Sequence, residues 1–362
     1  MRVKYANLKL LKINKKKLNY LQKINVLKIF LKLLFIPMVI YIALSNKKEK
    51  TELKAITNFK SIENKENIEN IENKEKDTIQ IPDIKVCVCT LGRNENRYIR
   101  EFVSHYEKYG VDKIFLYDNN KDDGEKFEDV INDYIQKGFV EILNWRGRQT
   151  PIFQIMNECY NNNKLKYNWI IFYEIDEFIN LYNYTNIKLY LNQPYFKNCE
   201  VIHLNIINHS DNEKLFYENK SLIERFPAIV PLRQSQVSVK SILRGNLTNA
   251  QITWMHWINL NLKRCNGFGG PSDLEFGNDF LYYVIDHYYS KSTEEFINKI
   301  NRGDSWRNTQ DYIRHRTEKY LNQNHITLQK IEKLEKGIGI NLSNFKIYVS
   351  KRRNRNRFRH RY

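Results

Sequence analysis

Cysteine is scarce and unevenly spaced, with five in 362 residues, which argues against a disulfide framework of the kind that holds small secreted domains together. Cys87 and Cys89 stand two apart in an apolar run, so a strand would carry both on one face. No second Cys/His pair lies at zinc-ligand spacing, which argues against a structural zinc site. Both therefore read as small buried hydrophobes. Cys199 and Cys265 stay open, bridged in an oxidising compartment or free. Acidic residues are nearly missing from the two ends: residues 1–50 hold 13 Lys and Arg against Glu49 alone, and residues 351–362 hold seven and no acid. Between them lie 39 basic and 40 acidic groups. The net charge of +18 thus belongs to the termini. A neutral body counts against nucleic-acid binding through basic and aromatic side chains, and basic ends suit a membrane surface as well as they suit nucleic acid.

What is present divides the chain into zones. Residues 1–23 form a basic tail. The run INVLKIFLKLLFIPMVIYIAL, within residues 24–45, is about long enough to cross a ~30 Å hydrocarbon layer, with Lys28 and Lys32 able to snorkel. Its lysine-rich flank puts the N-terminus in the cytoplasm. The expectation is an uncleaved single-pass type II anchor, or else an amphipathic surface helix, in a membrane that is Golgi-like if the source is eukaryotic. Residues 46–82, repetitive around IENKENIENIENKEK, have too few apolar side chains to build a core and read as a stem. Residues 83–345 form the folded domain, and 346–362 a basic tail.

Within the domain, apolar runs at 86–91, 113–118, 139–145 and 168–179 alternate with helical spacing at 98–106, 126–137 and 151–161. That rhythm predicts an α/β fold with a doubly wound, mostly parallel sheet. Ligands on such sheets bind beyond the carboxyl ends of the strands. There the polar clusters gather. Thr90, Arg93 and Asn94 follow the first strand, where backbone N–H groups can meet an anion. Asp118 closes the second and can accept from a base or ribose. Glu174 and Asp176 close the fourth, two apart on one face if the strand continues, a donor set for a hard cation such as Mn²⁺ or Mg²⁺.

The stretches VCVCTLGRNENRYIREFVSHYEKYGVDKIFLYDNN, GFVEILNWRG, NWIIFYEIDEFI, SLIERFPAIV, VKSILRG, TWMHW, CNGFG and DHYYSKSTEEFINKINRGD, in this order over about residues 84–345, resemble glycosyltransferase family 92 and its GT-A relatives. The resemblance implies a metal-dependent nucleotide-sugar transferase with the GT-A fold. Its donor would be a UDP-sugar, with galactose the sugar the family points to, its acceptor a glycan, and its stereochemistry inverting. Thr90, Arg93, Asn94 and Asp118 would then line the nucleotide pocket. Glu174 and Asp176 would be the acidic metal motif, with Glu in place of the first Asp, and His256 a late metal ligand. Lys240, His287 and Lys291 would meet the donor's diphosphate, as would Arg225. Asp211 and Glu224 are the candidate proton acceptors, since both follow the metal motif in the chain.

Three other readings remain open at this stage: a transferase-like scaffold without activity, a related sugar-phosphate transferase, and nucleic-acid binding through the basic ends. Asn-x-Ser/Thr sites at Asn183, Asn208, Asn219, Asn246 and Asn341 arise readily by chance in so asparagine-rich a chain.

Overall fold

The structure is a computed structural model. It describes residues 80–149, 152–230, 238–248, 250–254, 257–258, 261–272, 282–303, 315–317, 320, 327–339, 342–343 and 345–346. The chain divides into two compact units, Met1–Gln80 and Ile81–Tyr362, and the described elements belong to the second. The expected anchor, most of the stem, all but the first residue of the basic C-terminal tail, and His256 lie outside the described residues. Among the described residues no helix is long and apolar enough to cross a membrane.

The first half alternates as its periodicity predicts. Strands β1 (Val86–Gly92), β2 (Lys113–Asp118), β3 (Val140–Asn144) and β4 (Trp169–Phe172) are linked by helices α1 (Asn96–Lys108), α2 (Glu128–Gln136) and α3 (Ile152–Asn163). β1 pairs in parallel with β2 and β4, and β2 with β3. α1 buries Tyr98, Ile99, Phe102, Val103 and Tyr106, the stripe expected of a helix laid on a sheet.

Beyond β4 come β5 (Glu177–Leu181), α4 (Ile187–Leu191), β6 (Val201–Asn208), α5 (Leu222–Arg225), β7 (Val239–Arg244), β8 (Ile252–Trp254), β9 (Trp257–Ile258), β10 (Arg264–Cys265), β11 (Tyr283–His287), α6 (Thr293–Arg302) and α7 (Leu328–Ile338). The main sheet runs β3-β2-β1-β4-β7-β6-β11-β5, with β10 attached to β6. β7 is antiparallel to both β4 and β6, and β5 is antiparallel to β11. The sheet is therefore mixed: the doubly wound alternation holds for its first half, and in the second half β6 is parallel to β10 and β11 while β7 and β5 enter antiparallel. Burial patterns report that a strand is covered on both faces but carry no sign for its direction. The reversal at β7 was invisible for that reason.

Side chains on β1 alternate between two cores. Val86 and Val88 face one with Ile99, Phe102 and Ile171, whereas Cys87 and Cys89 face the other with Met156, Cys159 and Phe172. The second core corrects the cysteine reading. Cys89 is bridged to Cys159, tying β1 to α3, and Cys199 is bridged to Cys265. Only Cys87 is a buried free thiol. A pairing across 70 residues leaves no local spacing to read. Because each bridge closes a loop of 70 or 66 residues, it restricts the unfolded chain. Replacing Cys199 and Cys265 together by Ser should lower the unfolding free energy by about 2–4 kcal/mol, measured by urea denaturation. An unchanged midpoint would mean that the bridge does not form in solution.

Candidate active site

β4 delivers a run of buried apolar residues to one spot and the chain then turns. The Glu177 N–H donates to the Glu174 carbonyl at 3.0 Å, and the Glu174 N–H donates to Glu177 Oε2 at 2.9 Å. β5 starts at Glu177, directly opposite His287 on β11. Strand alternation would have put Glu177 on the far face from Glu174 and Asp176. The turn cancels that alternation. Ile175 enters the core, close enough to Gly92 that a β-carbon there would lie 2.7 Å from its Cδ1. Tyr106 fixes the start of β5 from α1: its hydroxyl donates to the Glu177 carbonyl at 2.9 Å and accepts from the Ile179 N–H at 3.2 Å.

Three carboxylates thus meet three lysines. Lys240, buried on β7, places Nζ 2.9 Å from Glu177 Oε2 and 3.1 Å from Glu174 Oε2. Lys291 and Lys299 both donate to Asp176 Oδ2, at 2.8 and 2.7 Å. His287 Nε2 lies 3.5 Å from Asp176 Oδ1 and 3.9 Å from Glu177 Oε1. Burial raises the Asp176 carboxyl, but Lys291 and Lys299 outweigh it and hold the group well below the usual carboxylate range. Burial likewise raises Glu174, and Lys240 draws it down to about 2. At Glu177 burial prevails over Lys240, with Glu174 beside it, and the carboxyl is raised.

Two buried atoms in this cluster, Glu177 Oε1 and His287 Nε2, have no hydrogen-bond partner among the described residues. Ligand atoms of Glu174, Glu177 and His287 all lie within 4.8 Å of one another. Two carboxylates and an imidazole suit Mn²⁺, and a cation would satisfy both orphaned atoms. The residues present therefore fit a divalent metal, with Glu177 rather than Asp176 in the set.

In front of the cluster, Leu91, Arg93, Asn119, Ile152, Lys299 and Arg302 line a cleft with Glu174 and Asp176. Arg302 pairs with Glu95 at 2.7 Å and donates to the Arg93 carbonyl. Asn94 takes a left-handed backbone (φ 51°), its N–H donating to Asn120 Oδ1 at 2.7 Å. Thr90 is buried with its hydroxyl unpartnered among the described residues. The Asp118 carboxylate is engaged by its own loop and by the loop after β3. It accepts from Arg146 at 2.5 Å and from the Asn120 N–H at 2.9 Å, while Arg146 also holds the carbonyls of Lys121, Gly124 and Glu125.

Lys240, His287 and Lys291 join the carboxylate cluster, Lys240 from beneath it. Other candidates sit elsewhere. Asp211 is buried, accepting from the Glu213 N–H at 2.9 Å and the Tyr320 hydroxyl at 3.3 Å, and burial raises its carboxyl. Glu224 is exposed on α5, 3.9 Å from Lys220. Arg225 is buried in a two-fold ion pair with Glu295, 2.8 Å at each contact. Sequence reasoning assigned no role to Glu177, Lys299, Arg302 or Arg146. Lys299 and Arg302 follow Glu295 at helical spacing in STEEFINKINRGD, which was the available signal.

The model of glycosyltransferase family 92 matches residues 82–336, taking in the cleft, the carboxylate turn and α6. The chain belongs to glycosyltransferase family 92. Among its relatives, a family 92 protein of rice (Oryza sativa subsp. japonica) is 35% identical over 97 residues, 26% of this chain and 16% of that one. An Arabidopsis thaliana family 92 protein is 31% identical over 95 residues, with the same coverage. These matches span about a sixth of the length of the relatives. Among solved structures, that of residues 1–349 of TarS from S. aureus aligns over 74% of this chain and 82% of that one, at 12% identity and a TM-score of 0.33.

The family 92 site generates two predictions about stability. Lys240→Met would leave Glu177 buried without its counter-charge, and should cost about 3–5 kcal/mol in chemical denaturation. A loss below about 1 kcal/mol would show that the pair is not formed. Asp176 and Glu174 have depressed folded values, so their stabilisation is complete above the ordinary carboxylate range and is lost as pH falls through it towards about 2. Urea midpoints at pH 6, 4 and 3 should fall in that order, and the Asp176→Asn variant should show a shallower decline.

Proposed function

We propose that this family 92 domain transfers a sugar from a UDP-sugar donor, with galactose as the sugar, onto a glycan acceptor, with inversion and with Mn²⁺ or Mg²⁺ as cofactor. The observation that carries the reading is the pair of orphaned buried atoms on Glu177 and His287, beside a cleft at the carboxyl ends of β1 and β4.

Glu174, Glu177 and His287 would hold the cation. When bound, it would offset the negative charge of the donor's diphosphate as the glycosidic bond breaks. The chain's own groups supply the rest. Lys299, on the rim of the cleft, stands where charge would build on the departing diphosphate, already aimed by Asp176 and so needing little reorganisation. Arg302 holds Glu95 and the Arg93 carbonyl, fixing the loop that would face the nucleotide. Inversion also requires a carboxylate to take the acceptor's proton. Asp211 and Glu224 do not line the cleft and are not assigned that part. A membrane anchor near the N-terminus would set the domain in a lumen, and the two disulfides suit an oxidising compartment of that kind.

One observation favours a second reading, a binding fold without turnover. Lys240, Lys291 and Lys299 already balance Glu174, Asp176 and Glu177 charge for charge, with no cation. Full-length protein in detergent, given a panel of nucleotide sugars and a glycan mixture, should release UDP from one donor only when Mn²⁺ is present. Lys299→Ala should lower kcat by roughly 10²-fold. UDP binding without release from any donor would overturn the transferase reading in favour of the second.

A further inference from the structure

Away from the cleft, the described residues expose three large aromatic side chains: Tyr182 at 44%, Phe268 at 43% and Tyr195 at 38%. All three belong to one cluster. The Tyr182 ring meets Tyr282 edge-on at 5.8 Å, and Phe268 lies 5.8 Å from Tyr282 and 4.9 Å from Tyr283. The Tyr195 side chain is hydrogen-bonded to those of Tyr184 and Tyr283. The cluster sits at the end of the β5–β11 pair far from the carboxylates. Tyr283 is opposite Leu181, whereas His287 is opposite Glu177, about 13 Å along the strand. None of these rings lines the cleft. Their exposure is built in. Asn266 Oδ1 accepts the N–H groups of Phe268 and Gly270, each at 3.0 Å. The Tyr190 hydroxyl donates to the Gly267 carbonyl at 2.8 Å, and the Cys199–Cys265 bridge closes the base of the loop. A loop so fixed holds Phe268 in water at a cost of roughly 25 cal/mol per Å² of apolar area, which is recovered when something covers the ring.

The chain supplies a tether in the middle of this cluster. Asn183-Tyr184-Thr185 is an acceptor triplet for an N-linked glycan. Triplets alone arise by chance, so their surroundings decide. Here a turn closed by the Tyr184 N–H on the Leu181 carbonyl leaves Asn183 and Thr185 exposed, and neither side chain is engaged among the described residues. Tyr182 and Tyr184, on either side of Asn183, both belong to the ring cluster. The other triplets differ. Asn208 ends β6, beside β11, and its Ser210 hydroxyl accepts the Asn212 N–H. Asn219 Oδ1 accepts the Tyr217 hydroxyl, and Ser221 caps α5. Asn246 is exposed, but its neighbour Leu247 packs against the second core rather than presenting a ring. Asn341 lies outside the described residues. A pyranose lays its C–H face on the electron-rich face of an aromatic ring, and tyrosine adds a hydroxyl for the sugar's own.

We propose that Asn183 is an N-glycosylation site whose glycan core lies over Tyr182, Tyr195 and Phe268. The modification joins the Asn183 amide nitrogen to the anomeric carbon of a lipid-diphosphate-linked oligosaccharide. The bond from that carbon to the diphosphate oxygen breaks, the lipid diphosphate leaves with the electron pair, and the amide gives up one proton. The inference rests on the lumenal placement proposed above and needs neither metal nor transferase activity.

The test is made on full-length protein from a eukaryotic secretory host, treated with peptide N-glycosidase in heavy-oxygen water so that each occupied asparagine becomes a labelled aspartate. Mass spectrometry should find the label at Asn183, and Thr185→Ala should remove it there alone. The Thr185→Ala variant should also bind an apolar fluorescent dye about twofold or more over the glycosylated protein, because its rings are bare. Adding Phe268→Ala should cancel that increase, with thermal melts verifying that both variants fold. Label at Asn219 or Asn246 but not at Asn183 would overturn the site and leave the lumenal placement standing. No label anywhere would also overturn the site, and protease treatment of intact microsomes would then judge the placement: a digested domain is cytoplasmic, a protected one lumenal. Equal dye binding with Asn183 occupied would overturn the docking of the glycan on the rings. A glycosylated protein that sediments as a dimer, and as a monomer with Phe268→Ala, would assign the rings to a second copy of the chain instead.

Discussion

The buried ammonium of Lys240 is the constraint around which the site is arranged. A lysine in the middle of a sheet is tolerable only if its charge is met at short range, and β7 brings this one beneath the point where β4 ends. Glu177 and Glu174 supply the counter-charge. To reach it from one segment, the backbone must turn within four residues. That turn sends Ile175 into the core and starts β5 at Glu177. The packing of Ile175 against Gly92 and the Tyr106 hydroxyl at the β5 backbone then fix the turn from two other elements. Electrostatics sets the location of the site, and apolar packing sets its precision.

A second charged layer comes from far along the chain. The lead-in to α6 places Lys291 in a left-handed conformation (φ 52°), one that a non-glycine residue adopts at a cost of order 1–3 kcal/mol. Ser292 and Glu295 then form a reciprocal cap that stops the helix from fraying at that point. Glu295 also takes the Arg225 ion pair and the Tyr98 hydroxyl, so α6 is clamped to α1 and α5. Lys291, just before this helix, and Lys299, within it, therefore reach Asp176 along a rigid path. Charged groups held in place in this way before a ligand arrives need not reorganise afterwards.

Much of the first half of the fold was legible in the sequence. Strand and helix periods along residues 86–172 depend on local burial, and local burial is written residue by residue. The acidic stretch at the end of β4 was legible for the same reason, as was its position beyond a carboxyl end. The division of labour within it was not. Reading Glu174 and Asp176 as one face assumed that the strand continued, and a two-residue period cannot announce its own interruption. Asp118 shows the complementary limit. Its place at the end of β2 was readable, but its carboxylate is taken by Arg146, which lies 28 residues further on.

The sequence by itself determined the order of elements, the apolar faces, the charge imbalance of the termini and the segment that would carry the acids. All of these follow from chemistry at neighbouring positions. Only the tertiary structure decided that β7 enters antiparallel, that Cys89 meets Cys159, and that Lys240, His287, Lys291 and Lys299 converge on three carboxylates. Those partners are brought together by strand pairing and helix docking across up to 123 residues. Such contacts depend on the folded path of the whole domain, which no local pattern encodes.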